Sequence, residues 1–228
     1  MKRKENIAAV SAVLVSLLLV MTMLVGCGGN KAPEETPGPA AETEPVSRPE
    51  PEETPAAETD PGRQDGERFE EIVILEGNEE TVGYEHVRDE GIGFELDYEY
   101  DMLERRIEPE RELFVSPYDD PEDPSNYLEL CRVPEKLDDA AASVYALLRN
   151  DYDLVVSENT TLDRAGECIR IDASGGRGAA GSDSMQTVYI IPAADGSLIA
   201  AAHYTVESSE GFGTRFAYIM NTCAPIDR

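Results

Sequence analysis

Three hydrophobic textures divide the chain. From Ile7 to Val25 nearly every position is apolar, through Val15, Leu17, Leu18, Leu19 and Met23, behind a basic start of Lys2, Arg3 and Lys4. That is the layout of a secretory signal, and its length alone would also suffice for a membrane-crossing helix. From Gly28 to about Gly66 proline, glutamate, threonine and alanine dominate, with almost nothing apolar large enough to pack. After Gly66 apolar positions return in regular patterns, and all ten tyrosines lie in this last stretch.

Within that stretch two periods recur. Phe94, Leu96 and Tyr98 alternate with Glu95, Asp97 and Glu99, and Leu128 and Leu130 flank Glu129, the signature of half-buried strands. Further strands are predicted over Glu85–Arg88, Leu113–Tyr118, Leu154–Glu158, Glu167–Ala173, Met185–Ile191 and Leu198–Val206. Asp195-Gly196 between two such runs marks a hairpin, so the sheet should be largely antiparallel. Helical spacing appears twice. Asp138 is placed to cap a helix carrying Val144, Leu147 and Leu148 and closing at Asn150. Ser208 or Ser209 is placed to cap a second, whose stripe of Phe212, Phe216, Ile219, Met220 and Cys223 is stopped by Pro225. The expected class is α+β, a largely antiparallel sheet with helices packed on it.

The apolar N-terminal run ends in Leu24-Val25-Gly26-Cys27. This tetrapeptide resembles the lipobox of bacterial lipoproteins, in which small residues precede a cysteine that receives a diacylglycerol. The resemblance implies a signal peptide over residues 1–26, removed on export, and an anchor at Cys27 carrying palmitate-like acyl chains. One chain holds only marginally at roughly 0.8 kcal/mol per methylene, whereas two or three hold stably. Residues 27–66 then form a disordered stalk, with Pro33-Glu34-Glu35-Thr36-Pro37 echoed at Pro51–Pro55. Such a segment buries too little to offset its ordering entropy. It would reach about 35 Å as a coil and about 120 Å if fully extended. Residues 67–228 form one acidic globular domain, since a core of this size seldom divides.

Charge narrows the partners. The chain carries 47 acids and 19 bases, a formal charge of −28, and loss of residues 1–26 makes it two charges more negative. It has no basic stripe, which excludes nucleic acid as a partner. No cofactor is expected.

The order of an early strand, Ile92-Gly93-Phe94-Glu95-Leu96-Asp97-Tyr98, a helix after Val133 and a Gly196 hairpin before the last helix resembles the Mog1/PsbP-like superfamily. The layout spans roughly Gly83 to Pro225. It departs from that superfamily at Glu99-Tyr100-Asp101-Met102, where a proline-glycine-tryptophan element often stands, and the chain has no tryptophan. The resemblance implies an α/β/α sandwich and a binding or accessory module, and transfers no site residue.

Chemistry-bearing residues are few. Gly176-Arg177-Gly178-Ala179-Ala180-Gly181 spells a dinucleotide fingerprint, but a strand follows where a helix is needed, so a hairpin loop is expected. The acidic stretch Asp119-Asp120-Pro121-Glu122-Asp123-Pro124 offers hard oxygens without the spacing of a calcium loop, and reads as a solvated loop or a weak calcium contact. His86 and His203 are the only histidines and lack the partners of a zinc site, so no metal is expected. The run from Glu104 to Glu112, with Arg105, Arg106 and Arg111, either pairs internally or grips an acidic ligand. Cys131 and Cys168 form a candidate disulfide if their strands are neighbours, while Cys223 belongs to the last helical stripe. The alternative is three small buried thiols.

The functional expectation is a lipid-anchored, extracytoplasmic lipoprotein held at the cell membrane, a non-catalytic module that binds an envelope protein or cell-wall partner. The competing class is an extracytoplasmic hydrolase with His86 or His203 beside a serine and a carboxylate. A solute receptor would need two lobes to close around its ligand.

Overall fold

A computed structural model describes residues 62–75, 77–178 and 180–226. The signal segment, the lipobox with Cys27 and the stalk up to residue 61 lie outside the described residues.

The elements run β1 (Arg68–Leu75), β2 (Asn78–Asp89), β3 (Phe94–Glu99), β4 (Glu104–Ile107), β5 (Arg111–Val115), β6 (Tyr127–Val133), α1 (Leu137–Asp151), β7 (Tyr152–Leu162), β8 (Gly166–Gly176), β9 (Ser184–Ala193) and β10 (Gly196–Thr205). A π-helical turn (Ser209–Gly213), α2 (Thr214–Thr222) and the short β11 (Ala224–Pro225) complete the chain. They form two antiparallel sheets, one in the order β1-β2-β3-β11 and one in the order β4-β5-β6-β10-β9-β8-β7. The predicted strands are all present, and the mostly antiparallel α+β expectation holds at that level. The single sheet does not: β1, β2, β3 and β11 form a sheet of their own.

The larger sheet is buried on both faces at its centre, which is why β10 reads as an unbroken apolar run rather than an alternation. Leu198, Ala200, Ala202 and Tyr204 point into a core shared with Phe94, Leu96 and Tyr98 of β3 and Phe216, Ile219 and Met220 of α2. Ile199 and Ala201, one residue out of phase, join Ile171, Val188 and Ile190 beneath Ala140, Ala141 and Leu148 of α1. Burying one side chain such as Phe114 or Phe216 stabilises by roughly 1.5–3 kcal/mol.

Local details differ from the pattern reading. Lys136, not Asp138, stands at the N-cap of α1, and Asp138 and Asp139 sit in its first turn, where acids favour the helix dipole. Ser208 does not cap α2. Its hydroxyl is bonded to Thr205 and Asn126, and the π-helical turn precedes the helix. Asp195-Gly196 turns the β9–β10 hairpin, and a side chain on Gly196 would lie 2.0 Å from the Val133 carbonyl oxygen. Residues 62–66, which composition assigns to the stalk, are tied to the fold. Gly66 N–H donates to the His86 carbonyl at 2.8 Å, and Arg63 reaches Asp97 and lies 3.8 Å over the Phe69 ring.

Candidate binding surface on the larger sheet

The face of the larger sheet that packs on β3 and α2 is not covered to its β7 edge. Strand alternation and register put Leu154 and Val156 of β7, Arg170, Asp172 and Ser174 of β8, Met185 and Thr187 of β9 and Tyr204 of β10 on this uncovered part. Leu154 is 59% exposed and Val156 51%. The residues line a groove of about 190 Å³, and a second recess of about 40 Å³ shares Arg170, Thr187 and Tyr204 and continues to Phe216 and Ala217 of α2.

The floor of the groove is a hydrogen-bonded chain. Arg170 Nε and Nη2 donate to Asp172 Oδ1 at 3.1 and 3.0 Å, Thr187 Oγ1 donates to the same oxygen at 2.8 Å, and Thr187 Oγ1 and Tyr204 OH are 2.8 Å apart. One aliphatic wall and one satisfied polar floor suit recognition of a chain that brings both apolar and polar groups. Enclosed ligand or substrate sites commonly hold about 300–1,000 Å³. A shallow recess of 190 Å³ fits one or two side chains of a macromolecule better than a small molecule taken out of water.

The residues expected to carry hydrolytic chemistry are elsewhere and apart. His86 of β2 is 1% exposed and its Nδ1 is 2.6 Å from Asp97 Oδ1, directly across the β2–β3 register. Asp97 is held in turn by Arg63, and its N–H donates to Thr222 Oγ1 at 2.9 Å, so the pair fastens β2, β3 and α2 together. His203 stacks on Tyr127 at 4.2 Å and its Nε2 lies 3.1 Å from Gln186 Nε2. Burial, and then the charge of Arg111, push the His203 pKa down to about 3, so the ring is neutral at ordinary pH. Neither of these pairings joins a histidine to a serine or cysteine.

Cys131 and Cys168 do not meet the condition for a disulfide. Their strands β6 and β8 are separated by β10 and β9, and the side chains lie on opposite faces, Cys131 against the α1 cluster and Cys168 in the β3–α2 core. Cys131, Cys168 and Cys223 are all free thiols. Burial pushes Cys131 and Cys223 up to about 12 and raises Cys168 as well, which suppresses the reactive thiolate.

The remaining candidates serve the fold. Gly176 closes β8, and Arg177, Gly178, Ala180 and Gly181 belong to the connection that leads into the strand β9 and not into a helix. Asp119 Oδ2 accepts from the N–H groups of Ser125 and Asn126, organising its own acidic loop. No cluster of three metal-ligating side chains occurs among the described residues. The arginines between Glu104 and Glu112 pair internally: Arg105 with Glu112 and Asp89, Arg106 with Glu104, and Arg111 with Glu108 and Glu129. Every described arginine except Arg149 meets a carboxylate in this way, so no cluster of unpaired arginines occurs among the described residues. The groove residues escape sequence reasoning because Arg170, Asp172, Thr187 and Tyr204 come from three strands with no motif. The only signal was the aliphatic pair Leu154 and Val156 at period two.

No protein-family model matches the chain, and no curated protein matches it in sequence.

Proposed function

We propose that this chain is an extracytoplasmic lipoprotein, anchored to the cell membrane through Cys27 and a proline-rich stalk over residues 27–66, whose domain is a non-catalytic binding module for another envelope component. The single observation that favours binding over turnover is the open face at β7–β9. It combines exposed aliphatic side chains with a fully bonded polar floor, while the side-chain hydrogen bonds of His86 and His203 go to Asp97 and Gln186 and not to a serine or cysteine. The finer fold reading, a Mog1/PsbP-like sandwich, belongs to this proposal. It draws support from α1 packing on one face of the larger sheet and α2 contributing to the core on the other.

Two measurements test the reading. Metabolic labelling with a radioactive or clickable palmitate should mark the full chain and lose the mark in Cys27→Ser; labelling that persists in that variant refutes the anchor. Capture from solubilised envelope should yield a saturable partner whose retention falls with Thr187→Arg, a substitution that fills the groove. A partner retained equally by that variant would place binding elsewhere on the domain.

A further inference from the structure

The two sheets end in edges of different character, and one fits a second copy of the chain. β7 terminates the larger sheet and at 11 residues is its longer edge strand; among the described residues no strand pairs with its outer row of backbone N–H and C=O groups, and Arg177 donates to the Tyr152 carbonyl at its start. Natural edges are normally guarded by charge, proline, bulges or brevity. β4 is four residues long and carries Glu104, Arg105 and Arg106; β11 is two residues long. β1 also exposes aliphatics, Ile72 at 69% and Ile74 at 72%. Its hairpin, however, carries Glu70, Glu71, Glu79, Glu80, Glu85 and Asp89 against two arginines, Arg68 and Arg88, with Arg215 reaching Glu80 from α2, so two copies meeting there would crowd like charges together.

β7 lacks that guard. Of its acids, Asp153 is paired with Arg177, whose Nε lies 2.6 Å away, and Glu158 shares Arg170, 4.0 Å from it, with Asp172. Between them Leu154-Val155-Val156-Ser157 carries no charge. On a chain of net charge −28 this is a strip where an equally acidic copy meets less local repulsion than at the β1–β2 hairpin. A basic foreign partner would gain more at the acidic β1 hairpin.

We propose that this strip joins two copies of the chain by antiparallel β7–β7 pairing about a two-fold axis at Val155. Faces are preserved only if the axis passes through a residue, because side chains alternate with period two. With the axis at Val155, exposed Leu154 opposes Val156 of the second copy and Val156 opposes its Leu154. Asp153 opposes Ser157, and Glu158 opposes Tyr152, so no acids face each other. Moving the axis to Val156 or Ser157 sets one of these aliphatics against Glu158 instead. The pairing also gives each groove an aliphatic wall from the other copy, so the two open faces become one continuous surface. An interface of two strand edges and these side chains buries on the order of 1,000 Å², the lower limit for a specific contact, which points to a concentration-dependent dimer. This proposal is independent of the envelope partner.

Sedimentation velocity on residues 27–228 with Cys27→Ser, from about 1 to 200 μM, reads it directly, without contribution from the lipid. The expected result is a monomer–dimer equilibrium weakened at least tenfold by Val156→Lys or Leu154→Lys and unchanged by Ile72→Lys. Both test positions are exposed, so circular dichroism should show the fold retained. A monomer throughout the range, or a dimer that tolerates both β7 lysines or yields to Ile72→Lys, overturns the proposal.

Discussion

His203 offers a quantitative test of the interior of the larger sheet. Its ring stacks on Tyr127, and desolvation, aided by Arg111, lowers its pKa to about 3, whereas an unfolded chain holds histidine near 6.5. The folded value is depressed, so the unfolded state takes up a proton that the folded state refuses. Stability therefore falls as pH drops below about 6.5 and continues to fall toward about 3. At pH 5 the unfolded ring is 1.5 units below its pKa, worth about 2 kcal/mol at 1.36 kcal/mol per unit. Glu99, Glu112 and Glu129 act in the opposite sense. Burial raises their pKa values, so their contribution improves as pH falls, and the wild-type profile alone mixes the two trends. Subtracting His203→Gln removes them, because each contributes to both proteins. Urea unfolding at constant ionic strength from pH 8 to pH 5 should show the stability of the wild type, relative to the variant, declining by about 2 kcal/mol. Any fixed offset from lost stacking is irrelevant to that slope. A difference that stays flat within about 0.5 kcal/mol, far below the 2 kcal/mol expected from linkage, would mean that His203 titrates normally in the fold and that this face is wet.

Other consequences can be measured with the same protein. Arg105→Ala leaves the fully buried Glu112 carboxylate without its main partner and should cost about 2–4 kcal/mol at pH 8. The deficit should shrink toward pH 5 as Glu112 protonates, and a pH-independent loss would contradict that account. Gly196→Ala drives a methyl into the Val133 carbonyl and should cost several times more than Gly83→Ala, whose clash is with the movable Tyr100 ring; equal losses in thermal unfolding would show the β9–β10 turn to be pliant. The buried thiols Cys168 and Cys223 and the half-buried Cys131 should resist iodoacetamide at pH 8 in the folded protein and react fully in denaturant. Rapid native labelling of Cys131 or Cys223 would be inconsistent with pKa values near 12.

The sequence by itself determined the local structure, because hydrophobic period is a local property. Alternation at Phe94–Tyr98 and Leu128–Leu130, the Asp195-Gly196 hairpin and the stripe of Phe216, Ile219 and Met220 each specify which face of one element must leave water, and the structure buries those residues. The pattern omits β1 and the short β11, whose strand character comes from pairing with β2 and β3, and β4, where Glu104-Arg105-Arg106-Ile107 reads as solvated charge but pairs with β5 and sets Arg105 against buried Glu112. It also joins all strands in one sheet, since period two states which face is apolar and not which neighbour it meets. Tertiary structure decided that β3 and β10 share a core from different sheets, that Cys131 and Cys168 lie on opposite faces, and that His86 spends its hydrogen bond on Asp97 across the β2–β3 register. It also decided the groove. Arg170, Asp172, Thr187 and Tyr204 come from β8, β9 and β10, and their hydrogen bonds exist only because antiparallel register sets those strands side by side, a long-range relation that no spacing along the chain encodes.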